Sequence, residues 1–323
     1  MFVNVLKGSF VILALVCNSL APRDVFGQTS TPNREVGGAN SIAQAVPRRV
    51  IPSNWLPPDV DEHIPPVEPS TACALDDVLQ KAGQRIQELV SNVDRFAATE
   101  SLEHEKINKL GIASAPQTRK FDYVVSIEEI RPGVLNVQEY RSSRSSDVDF
   151  PDGIESRGTP AMVLVFHPYH IVNFDVICEG LAQRKGTLAW QIHFRQRSDR
   201  PNRIRAYRIG SNGPSYPVPL KGRAWIAADS YQILTMETNL IAPMPQIRLI
   251  EDRTVIEYGP VHFQKGDVDL WLPQSADVYY DFRGRRSHRR HSFSDYLLFS
   301  VADKQHISAP KIKDESSSNQ PQK

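Results

Sequence analysis

The chain has 323 residues, with 38 Lys and Arg against 37 Asp and Glu and a formal net charge of +1. So even a balance excludes a general polyanion binder, because such binding draws on many unopposed cations. The length allows one domain with a sizeable core and leaves room for segments outside it.

Residues 1–27 read as a signal peptide. Lys7 supplies the positive start, residues 9–21 form a mostly apolar run, and Gly27 puts a small residue before the expected cleavage point. The run is about thirteen residues, shorter than the roughly twenty that span a bilayer. An uncleaved anchor is the alternative. Cys17 follows Val16, where lipid modification wants a small residue, so its lipidation stays open. Cleavage removes Lys7, Arg23 and Asp24 and leaves 36 basic and 36 acidic residues. The expected location is the periplasm or the outer envelope and beyond. Export implies a disulfide-permissive compartment. Cys73 and Cys178 then either bridge or remain two buried thiols.

Residues 28–71 are rich in Pro, Ser, Asn and Gly, most densely in "IPSNWLPPDVDEHIPPVEP". That composition reads as a disordered linker with polyproline character. Trp55 and Leu56 either dock on the domain or stay in the tether. Residues 72–303 are the expected folded domain, and residues 304–323 a disordered polar tail.

Residues 74–96 carry apolar side chains in steps of three and four: Leu75, Val78, Leu79, Ala82, Ile86, Leu89, Val90, Val93 and Phe96. The spacing predicts one amphipathic helix, with Asp76 and Asp77 suiting its N-terminal dipole. Beyond it the period becomes two. "KFDYVVSIEEI", "VLNVQEYR", "TLAWQIHFRQR", "SYQILTMETNL", "RTVIEYGPVHF", "ADVYYDF" and "HSFSDYLLFSV" read as strands separated by turn signals. The alternation puts Leu234, Met236 and Leu240 on one face, and Phe293, Leu297, Phe299 and Val301 on one face. The expected class is α+β: a large antiparallel meander with the long N-terminal helix on its concave face.

Motifs for catalysis are missing. There is no G-x-S-x-G, no phosphate loop and no H-E-x-x-H. No catalytic residue, cofactor or metal is expected. His288 and His291, three apart, point to opposite faces of a strand. His167, His170 and Cys178, near one another in sequence, are the material for a hydrolase, with no identified base for Cys178. "DFRGRRSHRRHSF" reads as a hairpin tip carrying Arg285, Arg286, Arg289 and Arg290. This patch is either a solvated rim or a contact to an anionic membrane surface; nucleic acid is not expected in an exported protein.

"LKGRAWIAADSYQILTMETNL", "IRLIEDRTVIEYGPVHF", "LWLPQSADVYYDF" and "HSFSDYLLFSV", with the helix running into "FAATESLEHEKI", resemble the periplasmic lipoprotein-carrier (LolA-like) superfamily over residues 74–303. The resemblance implies an incomplete β-barrel with a helical lid and an apolar cavity for acyl chains. The candidate lining residues are Tyr123, Val125, Trp190, Ile192, Phe194, Trp225, Leu234, Met236, Tyr258, Trp271, Tyr280, Leu297 and Phe299. The chain departs from the pattern in its tether and in the polar insertion at residues 141–159. The expected function is a non-enzymatic exported carrier or binder of lipid, lipoprotein acyl chains or another apolar ligand. The alternatives are an envelope scaffold with a self-filled core and an envelope hydrolase.

Overall fold

A computed structural model describes residues 55–299, apart from residues 70, 94, 132, 144–149, 201–203, 211 and 265–266. The expected signal peptide, Cys17, residues 28–54 of the expected linker and the expected tail lie outside the described residues.

Helix α1 (Leu75–Asn92) buries Val78, Ala82, Gly83 and Ile86 along one stripe and carries Asp76 and Asp77 in its first turn. It stops four residues before the expected end. Val93 and Phe96 pack with Tyr123 and Val125 on the sheet, and Phe96 already belongs to a strand. Tertiary packing here outweighs helical periodicity.

Strands β1 (Arg95–Ile107), β2 (Gln117–Arg131) and β3 (Val134–Ser142) follow. Next comes β4 (Ile154–Arg157), a 3₁₀ run at Pro160–Phe166 and a one-turn helix, α2 (Pro168–Ile171). Then come β5 (Phe174–Arg184), β6 (Thr187–Gln196), β7 (Ala206–Ile209), β8 (Ser215–Pro217) and β9 (Leu220–Ala227). The chain continues as β10 (Ile233–Leu240), β11 (Leu249–Phe263), β12 (Val268–Phe282) and β13 (Arg285–Phe299).

Ten of these strands form one sheet in the order β3-β2-β1-β13-β12-β11-β10-β9-β6-β5. All its pairings are antiparallel. The sheet does not close on itself: β3 and β5 are its two edges. The architecture is therefore α+β, an incomplete barrel with a helix on one face. Strands β4, β7 and β8 form a second, three-stranded sheet that the polar pattern of residues 141–159 did not suggest.

On the inner face Ile192, Phe194, Ala224, Ile226, Met236 and Ile256 pack against α1 and against Pro160–Phe166. All seven residues of that 3₁₀ run are buried. In sequence, "MVLVF" is only a short apolar run. In the fold it fills the concavity.

The outer face is polar, and the tether covers part of it. Val60 is 1% exposed, and its N–H donates to Asn239 Oδ1. Arg223 donates to the carbonyls of Val60 and His63, and Lys221 pairs with Asp59 at 2.7 Å and Asp61 at 2.5 Å. Gln191 donates to Pro65 O, and Glu68 N to Leu181 O. The expectation of a disordered linker thus fails for residues 55–69. Proline-rich composition supplies little apolar burial. Here the carbonyls and carboxylates of the tether satisfy cations that would otherwise stand on an open sheet face.

Candidate functional site

The free edge of the large sheet borders a groove of about 710 Å³. Leu135, Val137 and Glu139 of β3 form one wall. Arg157 and Gly158, Ala161 and Leu164 of the 3₁₀ run, His170 of α2, and Ile204, Ala206 and Pro217 complete it. Its volume falls in the range of small-molecule sites, roughly 300–1,000 Å³. Two glycines shape the surroundings. Gly158 adopts φ +89, and a Cβ there would lie 1.8 Å from Ile204 O. Gly133 (φ +77) turns β2 into β3, and the Tyr169 ring lies where its Cβ would be.

The groove holds polar atoms as well as apolar walls. Glu139 is committed: it accepts from Gly158 N and from Arg141 Nη1. Arg157 Nε and His170 Nε2 are buried and have no hydrogen-bond partner among the described residues. Burial pushes the His170 pKa down, so its imidazole is neutral at neutral pH. Ile130, Val134, Tyr169 and Val172 are exposed apolar side chains on the β2–β3 hairpin and α2.

Deeper in, the large sheet meets β4 around a buried charged cluster. Arg141 binds Glu100 through Nε at 2.5 Å and Nη2 at 3.1 Å, and Glu155 at 3.1 Å. His291 Nδ1 lies 2.7 Å from Glu100 Oε1. Burial alone would raise the Glu100 pKa; the Arg141 charge and the His291 hydrogen bond outweigh it and hold the carboxyl at about 2. His291 itself is pushed down by burial, so it is the neutral donor of that bond. Beside it, His104 Nε2 lies 3.4 Å from Asp152 Oδ2, and Ser287 donates to the same oxygen at 3.1 Å. The cluster was not singled out from the sequence, although a signal exists. The inward phase of β1 runs Phe96, Ala98, Glu100, Leu102, His104, two ionisable residues in a core-facing register.

The thirteen expected cavity residues scatter. Trp190, Ile192, Phe194, Met236, Tyr258 and Trp271 face the filled interior. Tyr123 and Val125 sit in a neighbouring cluster, and Tyr280 packs under the second sheet. None of them lines the 710 Å³ groove. Four point elsewhere. Trp225 and Leu234 pack on the outer face with Val67 of the tether. Trp225 alternates with the inward Ala224 and Ile226, and an irregularity between Ile233 and Thr235 takes Leu234 out of phase with Met236. Leu297 and Phe299 are exposed, 62% and 44%. A bulge opposite Ala97 and Thr99, with Asp295 at φ 53, shifts β13 by one residue and turns Tyr296 and Leu298 inward instead.

The arginine patch also needs correction. The hairpin tip is only Arg283-Gly284, both with positive φ, and β13 begins at Arg285. Strand alternation then splits the cluster. Arg289 is fully buried, donating to Ile154 O at 2.6 Å and Pro151 O at 2.5 Å, with Tyr280 and Phe150 rings beside it. Arg286 lies 3.6 Å from Asp281 and faces the Trp55 ring, while Arg285 and Arg290 are exposed. The four do not form one surface patch. His288 and His291 do point to opposite faces: His288 bonds Glu105 and Asp277, whereas His291 bonds Glu100.

Cys73 and Cys178 are joined, with Cα atoms 6.3 Å apart, which ties the start of α1 to β5. A bridged Cys178 has no thiolate to act as a nucleophile. His167 and His170 rings are 5.7 Å apart, and His167 Nδ1 accepts from Tyr169 N. Among the described residues no group of three or more His, Cys, Asp or Glu is placed to hold a metal.

No protein-family model matches the chain, and no curated protein matches it. Among solved structures it is similar to a DUF1329 family protein from Desulfovibrio piger, at TM-score 0.42 and 11% identity over 73% of this chain and 98% of that one. It is also similar to a LolA superfamily protein from Nitrosomonas europaea, at TM-score 0.35 and 11% identity over 72% of this chain and 97% of that one. At this identity and these TM-scores no ligand or partner is carried over.

Proposed function

We propose that this chain is an exported, non-enzymatic carrier that holds an apolar chain, such as a lipid or lipoprotein acyl group, in the lateral groove beside β3. The groove itself carries the reading: about 710 Å³, open at the sheet edge, walled by Leu135, Val137, Ala161 and Leu164. An incomplete barrel leaves such an edge exposed, and a single acyl chain suits an elongated apolar wall. The exposed Ile130, Val134, Tyr169 and Val172 would then be the surface that meets the donor of the chain.

The test is ligand uptake. Native mass spectrometry of protein purified from its own envelope is expected to show bound lipid, and a fluorescent fatty-acid probe is expected to bind. Ala206→Trp, which narrows the groove from β7, is expected to abolish uptake while the domain stays folded. A protein that is repeatedly empty and ignores the probe overturns the carrier reading.

One observation favours a scaffold instead: Pro160–Phe166 fills the concavity, so the interior offers the ligand no room. In that reading the groove stays empty, and the docked tether at residues 55–69 is part of a binding surface for another envelope protein. Probe uptake by a chain lacking the tether separates the two.

A further inference from the structure

We infer that Tyr169 limits the length of apolar tail that the lateral groove accepts, by standing between that groove and a second pocket. This rests on the carrier reading and deepens it, by naming the residue that sets tail length.

The β2–β3 hairpin borders two cavities. The groove of about 710 Å³ runs along β3 and reaches Val134, beside the turn. A pocket of about 390 Å³ lies along β2, between Ile127 and Glu129 and the end of α1, where Val90 and Val93 supply apolar wall. The two cavities are neighbours. Ile127 lines the pocket, Val137 lines the groove, and these residues pair across the hairpin. Helix α2 spans the boundary: His167 and Tyr169 line the pocket, whereas His170 lines the groove. At the hairpin end the Tyr169 ring rests on the Gly133 turn, with its Cδ1 2.7 Å from where a Cβ would lie. Only a residue without a side chain lets the ring come so close. The His167 ring stacks on it at 5.6 Å, which gives it a second support.

The groove has a direction. Glu139 and Arg157 gather at one end of the β3 wall and Val134 stands at the other. From Val134 to Glu139 the wall spans roughly 17 Å. A tail whose polar end sits beside Glu139 therefore points toward the Gly133 turn and Tyr169. Each methylene strengthens binding only while it leaves water, so an aromatic ring at the end of the wall fixes the useful length. The ring is removable. None of the four residues of α2 is buried, and Tyr169 is 52% exposed.

The experiment measures a series of straight-chain acids, from octanoic to octadecanoic, on the full chain and below their micelle concentrations. Each displaces a fluorescent fatty acid. Affinity for the unaltered protein is expected to rise about fourfold per added methylene and then to level off. Tyr169→Ala is expected to prolong the rise by several methylenes and to leave the shortest acids unchanged. Tyr169→Phe is expected to keep the unaltered profile, and Tyr169→Leu to prolong the rise by less. Ser91 is an exposed α1 residue that lines the second pocket. Adding Ser91→Trp to Tyr169→Ala is expected to refill the pocket and restore the levelling. A rise that continues to the longest acid in the unaltered protein overturns the inference and leaves the carrier reading intact. An unchanged profile in folded Tyr169→Ala also overturns it, as does a double variant that keeps the prolonged rise. Binding of no acid at all overturns the carrier reading itself.

Discussion

Glu100 and Arg141 face each other in a two-pronged pair, Nε to Oε2 at 2.5 Å and Nη2 to Oε1 at 3.1 Å, with side chains 0% and 3% exposed. The pair joins β1 to the end of β3 under the second sheet. Removing one partner strands the other charge in a low-dielectric interior. Glu100→Gln is therefore expected to cost about 3–5 kcal/mol in urea unfolding, far above the average substitution. A loss below about 1 kcal/mol would show that Glu139 and Glu155 compensate Arg141 fully.

Arg289 and Arg290 are neighbours with opposite fates. Arg289→Ala leaves the carbonyls of Pro151 and Ile154 without their donor and is expected to destabilise by about 2–4 kcal/mol. Arg290→Ser changes an exposed side chain and is expected to stay within about 0.5 kcal/mol. Thermal unfolding of the two variants side by side checks this. Equal, small effects would return Arg289 to the surface.

The Cys73–Cys178 bridge spans a sequence separation of 105 residues. In the chain-entropy account a loop of that size stabilises by up to about 4–5 kcal/mol. Reduction is expected to lower the Tm by roughly 10 °C for a domain of this size. Free thiols in the untreated protein would contradict the bridge.

The buried histidines predict acid sensitivity, and the sign follows from their shifts. Burial pushes His104 and His291 below the ordinary 6.5, so the folded state binds their protons less readily than the unfolded state. Their contribution is complete above about pH 6.5 and is lost as the pH falls through the lowered values. Glu100, held at about 2 against an ordinary 4.5, adds a second loss between those values. His288 runs the other way. Burial alone would depress it, but Asp277 and Glu105 raise it, so its contribution is present below pH 6.5 and fades as pH rises through the raised value. The urea midpoint is expected to fall from pH 7.5 to pH 5, and less steeply in His291→Gln. An unchanged slope in His291→Gln would mean that His291 does not carry the loss.

The tether is expected to be stabilising but dispensable for uptake. A chain starting at residue 70 loses the Lys221 pairs with Asp59 and Asp61 and the Arg223 bonds to Val60 and His63. Its Tm is expected to drop by several degrees, while Arg223 keeps Glu179 at 2.5 Å. Fatty-acid probe binding is expected to persist, because the groove lies on the other face. Loss of probe binding would tie the tether to the ligand.

Local pattern was enough for the class of this protein. Steps of three and four fixed one helix and its buried stripe, and period two marked the strands of an antiparallel meander, because both follow from backbone geometry within a few residues. The inward phase of β6 was legible in Trp190, Ile192 and Phe194, but that of β9 was not: Trp225, expected in the cavity, packs outward, and Ala224 and Ile226 face in. Tertiary structure decided the rest. One inserted residue at Asp295 reversed the faces of Leu297 and Phe299, and no local pattern announces a bulge. Arg289 looked like a tip residue because its acceptors, Pro151 O and Ile154 O, are more than 130 residues away in the chain. The same holds for Glu100 and Arg141, whose charges are acceptable inside only because each meets the other. The groove depends on which strands are left as edges. That Val137, Leu164 and Arg157 line one groove is a property of sheet order, and sheet order is settled by long-range pairing.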